Sequence, residues 1–226
     1  MAESIPARSQ HFSIVAIGPM NPRLHHPMWY KVIGGISEEE YAAALASPNL
    51  VVIPPMSQFE VSGISIACQD DRWSVKTSQP ALRRRIKDIA ALVFKKLFET
   101  PIQLYGFNNN FELETRAPKV AKFMANTMLA MDVGLRIEGE AAGTITLTDQ
   151  QKSRKVQIFL RPSGLSDEVL SFGYNTEYNP TVEIPDKTAY WDLGEYLERH
   201  FEPDYETATA VANQVIASIN RRYGDQ

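Results

Sequence analysis

Residues 59–99 read FEVSGISIACQDDRWSVKTSQPALRRRIKDIAALVFKKLFE. The first half alternates apolar and polar side chains, as a strand with one buried face does. The alternation breaks at QDD, residues 69–71, where Asp70 and Asp71 suit a hairpin turn. It also shifts at Gly63, which is expected to mark a bulge. Beyond Pro80 the period changes. Leu82, Ile86, Ile89, Val93 and Leu97 recur at spacings of four, three, four and four, one stripe of an amphipathic helix. Pro80 suits its first turn and Pro101 follows its end. Strands in direct succession, then one long helix, indicate an α+β protein with mostly antiparallel sheet rather than a doubly wound parallel one.

Toward the N-terminus, HFSIVAIG (11–18) reads as a first strand. Residues 19–35, with three prolines and a closing Gly pair, read as an ordered but irregular connection. Ser37 with Glu40 three residues on forms a capping box for a short helix that stops before Pro48. NLVVI (49–53) is an apolar run. Toward the C-terminus, a strand is expected over 102–114 and a helix over 118–131, with Val120, Phe123, Met124, Thr127 and Met128 on one face. Four strand-like runs follow within 133–178: VGLRIEG, GTITLTD, KVQIFLRP and EVLSFGYNTEY. Helices near 188–200 and 204–223 finish the chain. Strands and helices thus come in two rounds, which divide it into halves 1–116 and 117–226, two related units or one single domain.

GFNNNF (106–111) is echoed by GYNTEY (173–178). On a strand, alternate residues share a face. Phe107, Asn109 and Phe111 should therefore pack under a helix, as should Tyr174, Thr176 and Tyr178. Asn108 and Asn110, with Asn175 and Glu177, should face water. Asparagine offers both a donor and an acceptor, so these four residues are the candidate ligand-binding set, lining a polar groove for a sugar, a base or a peptide backbone. The competing and preferred reading is structural, with the asparagines satisfying nearby backbone groups.

The chain carries a net charge of −4, without the basic excess of a dedicated nucleic-acid binder. Arg83, Arg84, Arg85, Lys87, Lys95 and Lys96 nevertheless give the long helix a basic outer face, a solvated surface in the simpler reading and a phosphate or acidic-partner contact in the other. Nucleic acid is the less favoured partner. No apolar run reaches the ~20 residues that a membrane helix requires, and the N-terminal residues lack the pattern of a signal peptide. The single cysteine, Cys68, has no disulfide partner in the chain and is expected to be a small buried hydrophobe. The cytoplasm is the expected location.

His25-His26 point to opposite sides of an extended segment, and no HExxH or CxxC spacing exists, so neither a metal nor a cofactor is expected. Instead His26-Pro27 with Trp29 and Tyr30 should anchor the N-terminal loop to the core. Asp70, Asp71, Glu112 and Glu114 are the only acidic groupings offered for acid–base chemistry. A turn and a solvated strand face account for them more simply. No P-loop, nucleophile elbow or dinucleotide fingerprint occurs.

SIVAIGPMNPRLHHPMWY (13–30) with GISEEEY (35–41) behind it, and the later DRWSVKTSQP and IAALVFKKLFETPIQLYGFNNNFEL (71–80 and 89–113), resemble a group of bacterial proteins of similar length for which no activity is established. The resemblance covers about the first half of the chain and implies a free-standing bacterial cytosolic protein. The leading expectation is a non-catalytic interaction subunit or adaptor of a larger assembly, partnered by another protein or by its own copies. A small-ligand or nucleotide-binding module is the alternative, and a hydrolase or nuclease using the acidic residues the third.

Overall fold

The computed structural model describes residues 7–116, 145–183 and 193–223. They build one nine-stranded sheet in the order β2-β3-β4-β5-β1-β6-β9-β8-β7. The strands are β1 Ala7–Ile17, β2 Val51–Ile53, β3 Met56–Val61, β4 Ile64–Gln69, β5 Arg72–Thr77, β6 Leu104–Glu114, β7 Ile145–Gln150, β8 Arg154–Pro162 and β9 Val169–Tyr178. Every pairing is antiparallel. The described helices are α1 Pro27–Val32, α2 Glu38–Ala46, α3 Arg83–Lys96, α4 Pro180–Glu183 and α5 Leu193–Tyr223. The fold is α+β, as the strand succession implies. The helix expected over 118–131 and the strand VGLRIEG lie outside the described residues.

Three local expectations are corrected. Gly63 is not a bulge: Ser62 and Gly63, at φ 47° and 79°, form the two-residue turn joining β3 to β4. Such turns need left-handed backbone at both central positions, which Gly adopts freely and Ser tolerates. The connection 19–35 is not wholly irregular, because Pro27 opens α1 and the His26 ring accepts the Met28 N–H at 3.0 Å. The two C-terminal helices expected are one, α5, which runs through Pro203. Proline removes one backbone donor there, yet Phe201 before it and Asp204 after it are both buried against the sheet. Packing on either side keeps the helix continuous.

Alternation decides what is buried. β6 alternates half-buried and buried along ten residues, and its buried set is Tyr105, Phe107, Asn109, Phe111 and Leu113. By register these continue the buried faces of β1 (Phe12, Ile14, Ala16) and β5 (Trp73, Val75, Thr77). The helices pack on this face. Trp73 meets Phe94 of α3 edge-on, Phe107 meets Phe201 of α5, and Phe12 meets Tyr205. Aromatic pairs contribute beyond area burial alone. Tyr178 donates from its hydroxyl to buried Asp204 at 2.9 Å, tying α5 to β9. Burial raises the Asp204 carboxyl above its ordinary range, against the opposing pull of Tyr178 and of Arg154 beside it.

The connection 19–35 is pinned by one buried relay. Trp73 donates its indole N–H to the Tyr30 hydroxyl at 2.8 Å, and that hydroxyl lies 2.8 Å from His25 Nδ1. The Tyr30 proton then belongs on the His25 bond. Burial pushes the imidazole down to about 4, so it is neutral and accepts. The buried anchor is His25 with Tyr30, while His26 caps α1.

Candidate functional site: the open face of the sheet

Helices α1, α2, α3 and α5 gather on one side and leave the other face of the sheet free of them among the described residues. Register lines up its side chains. From β3 across to β7 stand Glu60, Ser65, Lys76, Ser13, Asn108, Asn175, Gln157 and Thr148, each opposite the next. This is a polar row across eight strands, with three amides side by side on β6, β9 and β8. Asn108 donates to the Ser13 hydroxyl at 2.8 Å. The side-chain oxygen of Asn175 is buried and has no partner among the described residues.

Two hollows flank the row. One, of about 240 Å³, is lined by Asn108, Asn175, Gln157, Glu177, Lys155 and Arg72, with Val15, Ile17 and Leu104 as its aliphatic part. The other, of about 470 Å³, is lined by His11, Lys76, Glu60, Ser78 and Asn110 among others. His11 Nδ1 lies 2.8 Å from the Ser78 hydroxyl.

The two Gly-aromatic-Asn stretches are therefore neighbours. Phe107 pairs with Thr176, Asn108 with Asn175 and Gly106 with Glu177. Their aromatic positions are buried under the helices and their Asn positions face the open side. Of the four candidate residues, Asn108, Asn175 and Glu177 line the smaller hollow and Asn110 the larger.

The glycines have structural reasons. A Cβ at Gly106 would stand 2.5 Å from the Thr176 carbonyl oxygen, and one at Gly173 would stand 2.7 Å from the Asn110 side-chain oxygen. Backbone cannot retreat as a flexible side chain can. Gly106→Ala is accordingly expected to lower stability by about 2 kcal/mol, the range of overpacking, read from urea midpoints at unchanged slope. A stability equal to the parent would mean that β6 and β9 separate there without cost.

The other candidates fall elsewhere. Arg83, Arg84, Arg85 and Lys87 face carboxylates on neighbouring helices: Arg83 and Arg84 reach Glu202 at 2.6 and 3.3 Å, Lys87 reaches Glu198 at 2.5 Å, and Arg85 reaches Glu40 at 2.5 Å. Arg83 also lies over the Tyr205 ring at 3.8 Å. The Arg85 bond holds the Glu40 carboxyl down to about 2. Lys95 and Lys96 are exposed. Asp70 and Asp71 form the turn between β4 and β5, and their carbonyls accept from Met20 and Gly18 at 2.7 and 3.0 Å. Glu114 pairs with Arg8 at 3.3 Å, while one Glu112 oxygen is buried and has no partner among the described residues. Cys68 is buried, and burial pushes its thiol up to about 12, unsuited to nucleophilic work.

Sequence reasoning missed Ser13, Lys76, Gln157, Lys155 and Arg72 as parts of one surface. Each is a polar residue at the alternate positions of a strand whose other face is apolar, a visible signal. Their convergence depends on strand order. No family model matches the chain, and no curated protein matches it either.

Proposed function

We propose that this chain is a non-catalytic interaction protein, a subunit or adaptor that receives a protein partner on the open face of its sheet. One observation carries the reading: among the described residues, α1, α2, α3 and α5 cover one side of a nine-stranded sheet and leave the other side free of them. Eight inter-strand gaps of about 4.8 Å and strands of about six residues give a platform of roughly 38 by 20 Å. That is close to the ~800 Å² that each partner contributes to a stable protein–protein interface. The sheet edges are poorer candidates, since β2 has three residues and is followed by Pro54-Pro55, and β7 has six.

The chemistry of the face agrees. Amides, hydroxyls and charges of both signs, with Val15, Ile17 and Leu104 half-buried among them, resemble the mixed composition of non-obligate interfaces. The basic residues of α3 support a nucleic-acid reading less, because four of the six face carboxylates. No described helix is long and apolar enough to cross a membrane. A bacterial cytosolic setting accords with the resemblance in sequence.

The test is native mass spectrometry of the protein purified gently from its own cells, in parental form and as Asn108→Ala/Asn175→Ala. The double variant should fold, losing about 1 kcal/mol with the Ser13 hydrogen bond, and should shed a subunit that the parent retains. A subunit held equally by both forms would remove the open face from its binding.

A further inference from the structure

The smaller hollow has features that a flat docking surface does not need. Gly106 is part of its lining, where no side chain fills the floor. Beside it, Asn108 and Asn175 face each other across β6 and β9. The Asn108 amide donates one N–H to Ser13, and among the described residues the buried Asn175 oxygen has no donor. The amides of Asn108, Asn175 and Gln157 line the hollow with both donors and acceptors, and exposed Glu177, opposite Gly106, adds a carboxylate. At the flanks stand cations: Lys155 opposite Glu177, and Arg72 from β5. Neither cation makes an ion pair among the described residues.

We infer that this hollow is a binding site for a small carboxylate that carries an N–H or O–H donor next to its acid group, the chemistry of an amino acid, a hydroxy acid or a free peptide C-terminus. The donor meets the exposed Glu177 carboxylate, and the ligand's acid group meets Arg72 or Lys155. Arginine and lysine are matched to carboxylates, and a charge-assisted hydrogen bond is roughly twice as strong as a neutral one. Four strand steps of about 4.8 Å separate Arg72 from Lys155 along the sheet, roughly 19 Å between backbones. Both residues nevertheless line the same hollow of about 240 Å³. That volume lies below the ~300 Å³ at which drug-sized pockets begin, which selects a ligand of metabolite or single-residue size. A DNA phosphodiester backbone has no N–H or O–H to offer Glu177, and a neutral sugar leaves both cations unmatched. The site stands whether or not a protein docks over it.

The test is titration of the full chain, followed by 1H–15N spectra of the side-chain amides. The probes are L-glutamate, L-lactate, and the dipeptide N-acetyl-glycyl-alanine as free acid and as C-terminal amide. The expected result is saturable shifts of the Asn108, Asn175 and Gln157 amides by at least one acid probe, with a Kd of about 1 mM or tighter. Binding by the acetylated acid assigns the site to a chain terminus, and binding by the free acids alone assigns it to a metabolite. Arg72→Gln/Lys155→Gln changes two surface side chains, so the fold persists, and it should weaken binding at least about tenfold. The inference is overturned if no acid probe shifts these amides, if the double variant binds as tightly as the parent, or if the C-terminal amide binds as well as the acid.

Discussion

Phe107→Ala is expected to cost about 4 kcal/mol, within the range for removing a buried Phe. Its ring is 2% exposed and meets three others edge-on: Tyr105 and Tyr178 of the sheet and Phe201 of α5. Removing it opens a void where β6, β9 and α5 meet. Few of those neighbours can collapse inward, since Tyr178 is tied to Asp204 and Tyr105 lies 2.8 Å from His200. A domain of ordinary stability, about 5–15 kcal/mol, would lose a large fraction of it. Asn108→Ala, one residue along, should stay within about 1 kcal/mol. Urea unfolding of the two variants measures the contrast. Equal losses would mean that the burial alternation of β6 does not control its energetics.

Tyr30→Phe is expected to cost about 3 kcal/mol, because two buried polar groups lose their partner at once, each worth about 1–3 kcal/mol when orphaned. The phenol oxygen accepts from Trp73 and lies beside His25, and Phe offers neither group anything. The same relay predicts a pH dependence. In the unfolded chain His25 titrates near its ordinary 6.5, and in the fold at about 4. The unfolded state therefore takes up a proton first as the solution acidifies. Stability is fully present above pH 6.5 and falls between 6.5 and about 4, at roughly 1.4 kcal/mol per pH unit, or about 3 kcal/mol across the window. His25→Gln keeps an acceptor near Tyr30 but cannot titrate. Guanidinium unfolding at about pH 7 and about pH 4.5 should show a smaller drop in this variant than in the parent, by about 2 kcal/mol. Equal drops would place the acid sensitivity in other groups.

Much of the fold was legible in the sequence for physical reasons. The stripe Ile86, Ile89, Val93 is a long-range signal of period near four, and those residues are buried. The capping box at Ser37 and Glu40 forms in both directions, at 3.2 and 2.9 Å. QDD is the turn that its two aspartates suggested. The misreadings were local. Ser62-Gly63 shifts the alternation as a bulge does, and only the partner strand distinguishes the two. Pro203 normally ends a helix, and the aromatic packing that overrides it is tertiary. The candidate site was half legible. Periodicity alone separated Phe107 from Asn108 and Tyr174 from Asn175. That Asn108 faces Asn175, with Ser13 on one side and Gln157 on the other, needs strand pairing across a sequence separation of 95 residues between Ser13 and Asn108, which no local pattern encodes.

The position of β1 has a consequence for how the chain assembles. Of the described strands, the earliest in the chain is an interior one, flanked by β5 and β6. Its register partners begin at Arg72 on one side and Leu104 on the other. The hairpins β2–β3, β3–β4 and β4–β5 close over short loops and can form during synthesis, but β1 must wait for the chain to return to it. Loop-closure entropy makes such distant pairings slow to form. Until then the SIVAI run stays unpaired, an apolar strand exposed on a nascent chain. Holding that segment back from wrong partners is a kinetic demand set by topology, and it falls on the cell during translation.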